Sequence, residues 1–199
     1  MQTLSTFAFD YPRRSEFFKK ELTQLLILAQ EKNLNPLSLK SSYAGAVGLP
    51  QFMPSNLRRY AVDFNQDGRV NIWQDVEDAI GSVANYLKEH GWQAKQPIAA
   101  PAKVKGVKYK TLKQQRNLPS FSLQQMQNYG IQARTALPAD LQANLIELEG
   151  KEGPEFWLGF KNFYMIRRYN PSNNYAMAVY QLSEELKKMH SFSLSESIN

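Results

Sequence analysis

Residues 63–71 read DFNQDGRVN, and their oxygen atoms are spaced as a hard cation requires. Asp63, Asn65 and Asp67 take alternate positions, Gly68 is sixth, the Arg69 carbonyl seventh and apolar Val70 eighth. This is the opening register of an EF-hand calcium loop, in which six to eight oxygens surround the ion. Position twelve, where a glutamate usually closes the shell, holds Gln74. A later carboxylate must close it instead, and Asp75, Glu77 and Asp78 are available. The same residue types also build an Asx-rich turn that holds no metal.

Two other stretches have the chemistry of saccharide contacts. Residues 41–60, SSYAGAVGLPQFMPSNLRRY, are small and glycine-containing up to Gly48, then set Gln51, Phe52 and Met53 between Pro50 and Pro54. An amide donor and acceptor beside apolar side chains suits a sugar ring carrying an N-acetyl group. Gly45 and Gly48 permit positive φ or close backbone approach. Nearer the C-terminus, Tyr169, Asn170 and Tyr175 flank the turn Pro171-Ser-Asn-Asn, offering aromatic faces and an amide for stacking and hydrogen bonding. A packed aromatic corner uses the same residues.

Helices must position these loops. Residues 15–31 form an amphipathic pattern with Phe18, Leu22, Leu25, Leu26 and Ala29 toward a core. Arg13 and Arg14 stand at its mouth, where the helix dipole does not favour cations; alone, they read as a solvated pair. Pro54-Ser55 is a helix start. Residues 78–90 form a second pattern, with Ile80, Val83, Ala84 and Leu87 on its apolar side, Tyr86 on a neighbouring face, and Gly91 as the stop. A final helix to about residue 190 places Val179, Leu182 and Leu186 inward, leaving 191–199 frayed. Between these lies a different texture: loop and short strands over 97–119, a small helix over 121–129, and β-like runs at 144–149 and 155–160 joined by residues 150–154. Residues 1–10 show no pattern.

The 199 residues suffice for one domain with a sizeable core, and 43% hydrophobic content is globular. The absence of cysteine excludes disulfides, thiolate metal sites and a thiol nucleophile. A net charge of +6 and a pI near 9.4 favour an anionic partner without naming it. A nucleic-acid reading has only this charge behind it, with no recognition motif. The sequence contains no run of eighteen apolar residues and no basic-then-apolar leader.

The segments SYAGAVGLPQFMPS, YAVDFNQDGRVNIW and DAIGSVANYLKEHGW, with YPRRSEFF before them and FYMIRRYNPSNNYAMAVYQL near the end, resemble the membrane-bound lytic murein transglycosylase B family. The resemblance covers nearly the whole chain. It implies a mainly α, lysozyme-like domain formed by 1–96 and 161–199, with an EF-hand-like loop at 63–78 and a small α/β insertion at 97–160. It implies structural Ca2+ on Asp63, Asn65, Asp67, the Arg69 carbonyl and Asp78. The substrate would be peptidoglycan glycan strands, lined by Gln51, Phe52, Met53, Tyr86, Tyr169, Asn170 and Tyr175. Ser42 would assist in the cleft, and Arg13 and Arg14 would face stem-peptide carboxylates. A periplasmic monomer follows, touching a membrane only through an N-terminal anchor.

Members of this family cleave the MurNAc–GlcNAc bond and close a 1,6-anhydro ring, with one glutamate as acid and then base. That glutamate lies in a Gly-Val-Glu-Thr-like motif ahead of the segment where this sequence begins. No such motif occurs here, and Glu16, the first glutamate, does not match it. The expectation is a C-terminal portion of the enzyme that holds the walls of the site without its acid, and so binds glycan without cutting it. The alternative is an inactive, calcium-dependent peptidoglycan-binding module.

Overall fold

Leu4 and Ala8 stand one helical turn apart and are both buried. Their burial draws Gln2–Asp10 into a helix, α1, where the sequence shows no strong periodicity. In this computed structural model residues 1–196 are described, with side chains through His190. The chain divides into two compact units, Met1–Glu89 and His90–Asn199.

In the first unit, α1 leads through a 3₁₀ turn (Pro12–Arg14) into α2 (Ser15–Glu31). Leu4, Ala8, Phe18 and Leu25 form a cluster against which Leu22, Leu39 and Met53 pack. The buried face of α2 is Phe18, Glu21, Leu25, Leu28 and Ala29. Leu26, expected inward, is 45% exposed, because the buried stripe centres on Leu25 and the next residue is rotated by about 100°. Helix α3 (Pro54–Tyr60) starts with proline at its first turn, as expected.

Helix α4 (Val76–Glu89) turns the other way from its sequence pattern. Its buried residues are Asp78, Ala79, Gly81, Ser82 and Tyr86, whereas Ile80 is 63% exposed. Ala84 is exposed too, and Val83 and Leu87 are only half-buried. Hydrogen bonding and close approach explain the reversal. Ser82 Oγ accepts the Val62 N–H at 3.0 Å, and Asp78 binds two loop amides. A Cβ on Gly81 would lie 2.5 Å from Phe64 Cβ, so only glycine lets this loop close on the helix.

The second unit carries a five-stranded antiparallel sheet in the order β2-β4-β5-β1-β3. The strands are β1 (Ala99–Val104), β2 (Phe121–Ser122), β3 (Ile131–Ala133), β4 (Gln142–Gly150) and β5 (Gly153–Gly159). The expected β4–β5 hairpin is present, with Gly150 opposite Gly153. Helix α5 (Leu123–Gln127) begins with a capping box in which Ser122 Oγ accepts from Gln125 and the Gln125 side chain returns the bond. Leu123, Met126, Ile131, Leu145, Leu158 and Phe160 are core residues of this unit.

Two helices complete it, α6 (Lys161–Tyr169), which the sequence reading did not separate, and α7 (Asn173–Glu196). Here the periodicity of the last helix misleads: Val179, Leu182 and Leu186 are 36%, 61% and 56% exposed, and Ala176 and Met177 are buried in their place. The helix also continues past residue 190 to Glu196; of the stretch expected to fray, 197–199 lie outside the described residues.

Candidate functional site

The 41–53 loop is locked by its own backbone. Val47 forms antiparallel bridges with Ser41 and Phe52. Ser42 Oγ accepts the N–H groups of Ala44 (3.2 Å) and Ala46 (3.1 Å), so its hydroxyl shapes the turn. Gly45 and Gly48 have φ of +88° and +70°, and Cβ atoms there would stand 2.3 Å from Leu4 Cδ2 and 2.5 Å from Ile72 Cδ1. Both glycines are required by conformation and by contact.

Gln51 is held at φ +53°, and its Nε2 donates to the Gly48 carbonyl at 2.8 Å. A non-glycine residue in this region costs on the order of 1 kcal/mol, and the side chain's bond to its own loop offsets part of it. Gln51 is exposed, with its amide oxygen free of the loop contact. Phe52 and Tyr86 are 1% and 4% exposed, with ring centroids 5.7 Å apart. They support the loop from beneath and do not present faces to solvent, a correction to their expected place in the groove lining. Met53 is half-buried.

The sequence reading passed over Tyr43. Its ring is 87% exposed beside Ser42 and meets Phe7 edge-on at 5.5 Å. Phe7 stacks on Phe18 at 4.7 Å, and the Arg14 guanidinium lies 4.2 Å from Phe17 and 5.3 Å from Phe18. An aromatic chain thus links the loop to the arginine pair. An exposed aromatic in a Ser/Gly loop was the available signal. Arg13 and Arg14 are exposed and make no ion pair among the described residues.

The 63–78 segment is organised by its carboxylates. Asp63 accepts the N–H groups of Asp67 (3.1 Å) and Gly68 (2.8 Å), and Asp67 accepts that of Arg69 (2.8 Å). Asn65 Nδ2 donates to Asp75 Oδ2 at 2.6 Å, while Asp75 Oδ1 caps α4 through Glu77 and Asp78. Asp78 is fully buried and accepts from Asn71 (2.7 Å) and Phe64 (2.8 Å). The Asn71 amide above all holds its carboxyl below the ordinary range. No three Asp, Glu, His or Cys side chains converge as a metal cluster among the described residues. The donors are nevertheless all hard oxygens, and a carboxylate oxygen that accepts one N–H keeps a second lone pair. The residue types therefore fit a hard cation such as Ca2+, which Asp63, Asn65, Asp67, the Arg69 carbonyl and Asp78 could hold.

In the second unit, Tyr169 and Tyr175 stack with centroids 6.4 Å apart and planes 2° from parallel. Burial pushes the Tyr175 phenol upward. Asn170 is exposed between them, its carbonyl accepting the Ser172 N–H at 2.8 Å. The packed aromatic corner and the exposed amide coexist.

A general acid for glycoside cleavage needs a sheltered carboxyl kept protonated near neutral pH. Glu21 is the buried glutamate of the described residues, but its two oxygens accept the Ser55 N–H and Oγ–H at 2.9 and 2.7 Å. Glu16 is exposed and paired with Lys19, and Glu31 pairs with Arg58. Asp78 shifts in the wrong direction for an acid.

The sequence model of the transglycosylase SLT domain matches residues 1–184. The chain belongs to this family. It is 43% identical over 190 residues to the membrane-bound lytic murein transglycosylase B of Escherichia coli (strain K12), covering 92% of this chain and 50% of that protein. The soluble lytic transglycosylase SltB1 from Pseudomonas aeruginosa superposes with a TM-score of 0.88 at 47% identity, over 96% of this chain and 63% of that one. The Escherichia coli lytic transglycosylase Slt35 in complex with calcium gives 0.82 at 43%, over 92% and 57%. The chain thus spans about half the length of the curated relative it matches. Its fold is that of these lytic transglycosylases, mainly helical and lysozyme-like with one small antiparallel sheet. No helix among the described residues is long and apolar enough to cross a membrane.

Proposed function

We propose that this transglycosylase-family chain forms the glycan-strand-binding part of a peptidoglycan lytic transglycosylase, acting in the periplasm on the MurNAc–GlcNAc bond with a 1,6-anhydromuramyl product. The observation that carries the binding half is the 41–53 loop, held rigid by two positive-φ glycines, with Gln51 and Tyr43 projecting from it beside buried Phe52 and Tyr86. Within the first unit, Ser42 holds the turn that sets Tyr43, Arg13 and Arg14 take stem-peptide carboxylates, and Met53 adds an apolar saccharide contact; within the second unit, Tyr169, Asn170 and Tyr175 offer saccharide contacts of their own. We include in this reading a division of the chain into a lysozyme-like helical domain of 1–96 and 161–199 and a small α/β insertion subdomain of 97–160.

Calcium belongs to the proposal as a structural ion: when bound, it would cross-link the 63–69 turn to the start of α4. The binding residues do not themselves supply an acid, since the buried Glu21 is consumed by α3. That observation also favours a second reading, a calcium-dependent peptidoglycan-binding module without catalysis. Co-sedimentation with purified murein sacculi tests the binding half. The chain should pellet with sacculi, and Gln51→Ala together with Tyr43→Ala should return it to the supernatant. A chain that stays in the supernatant overturns the reading.

A further inference from the structure

Two buried polar atoms of the second unit, the Nε–H of Arg167 and the side-chain oxygen of Asn173, have no hydrogen-bond partner among the described residues. Such orphans are rare in native proteins, because each carries the full desolvation cost of its group. Both residues line one cavity of ≈ 550 Å³, together with Tyr164, Arg116 and the Asn144 region of β4. Small-ligand pockets fall in roughly the 300–1,000 Å³ range.

The donors in this cavity are held in place. Arg167 Nη1 donates to the Arg116 carbonyl at 2.5 Å, and its guanidinium lies 5.4 Å from the Tyr164 ring centroid. The Tyr164 oxygen accepts from Asn144 Nδ2 at 3.0 Å, which leaves its own O–H to donate. Burial pushes that phenol upward, so it stays a donor. No Asp or Glu lines the cavity, and Arg167 makes no ion pair among the described residues. The Arg167 and Tyr164 donors beside the unpartnered Asn173 oxygen complement a ligand that carries a carboxylate next to an N–H, and Arg116 adds a second positive charge to the lining.

We propose that this cavity binds the C-terminal carboxylate of a short peptide. The carboxylate takes the Arg167 Nε–H and the Tyr164 O–H, and the adjoining peptide N–H donates to Asn173 Oδ1. A bare sulfate would satisfy the donors but, having no proton to give, leave Asn173 unpartnered. The site stands apart from the glycan reading: a free dipeptide tests it, whereas sacculi test the other.

The experiment is a calorimetric or NMR titration of the purified chain with N-acetyl-alanyl-alanine, its C-terminal amide, and inorganic sulfate. The free acid should bind saturably, and the amide and sulfate at least about tenfold more weakly, as loss of a hydrogen bond to the site implies. Arg167→Lys should weaken the free acid by a similar factor, because lysine keeps the charge but has no N–H at the Nε position. Asn173→Asp, at the first turn of α7 where a carboxylate suits the dipole, should keep the thermal transition and abolish binding. No binding of any probe would show that the orphaned atoms meet water only. That result, equal binding of all three probes, or Asn173→Asp binding like the parent, overturns the proposal.

Discussion

Glu21 on α2 and Ser55 at the start of α3 form a clamp: the buried carboxylate accepts both the Ser55 amide at 2.9 Å and its hydroxyl at 2.7 Å. A buried glutamate in this family invites nomination as the acid, but these bonds make it a structural group that satisfies helix-start donors. Glu21→Gln should lower unfolding free energy by about 1–3 kcal/mol, measured by urea denaturation, while sacculus binding persists in the folded variant. Unchanged stability would contradict the clamp.

Neighbouring residues on α4 should respond oppositely to intuition. Gly81→Ala places a methyl 2.5 Å from Phe64 Cβ, a group that cannot swing away as a side-chain tip can. The expected loss is about 1–3 kcal/mol. Ile80→Ser, on the exposed side, should change stability by about 0.5 kcal/mol or less. Paired melting curves of the two variants check the assignment of the buried face.

Calcium should raise the melting temperature by mass action if it binds the folded loop. Adding chelator should reverse the shift, and Asp63→Ala should remove it, since Asp63 organises the turn through Asp67 and Gly68. Identical melting in calcium and chelator would leave the segment an Asx-rich turn.

Tyr164 supplies a pH signature. Burial raises its phenol above the ordinary value near 10. The folded state thus favours the neutral form, so its contribution is complete below about pH 10 and is lost as pH rises through the folded pKa. Urea midpoints should fall more steeply between pH 9 and 11 for the parent than for Tyr164→Phe. Parallel curves would contradict it.

Local chemistry was legible where it is set by a few residues. The positive-φ glycines, the proline-started helix, the carboxylate loop and the β4–β5 hairpin all follow from side-chain type at fixed spacing. What failed was the rotation of helices. In α4 the apolar stripe of Ile80 and Ala84 is exposed, because Asp78 and Ser82 satisfy loop amides and Gly81 admits Phe64. In α7 the Leu182 and Leu186 stripe is likewise outward. Amphipathicity reports which face is apolar, whereas hydrogen bonds made by distant loops decide which face is buried. Burial of Phe52 and Tyr86 was hidden for the same reason, since an aromatic suited to stacking on sugar is equally suited to a core. Tyr43 was missed because a loop position has no period to betray it.

The most direct test of the account is product analysis after incubating the purified chain with murein sacculi. The chain should pellet with the sacculi yet release no anhydromuropeptides above a protein-free blank. Loss of a general acid costs about a hundred- to ten-thousandfold in rate, and a mechanism using one group for both steps stands at the upper end. Release of anhydromuropeptides at a rate comparable with the related lytic transglycosylases would contradict it, and would mean that a carboxylate of this chain, Asp10 or Glu16 among them, serves as the acid.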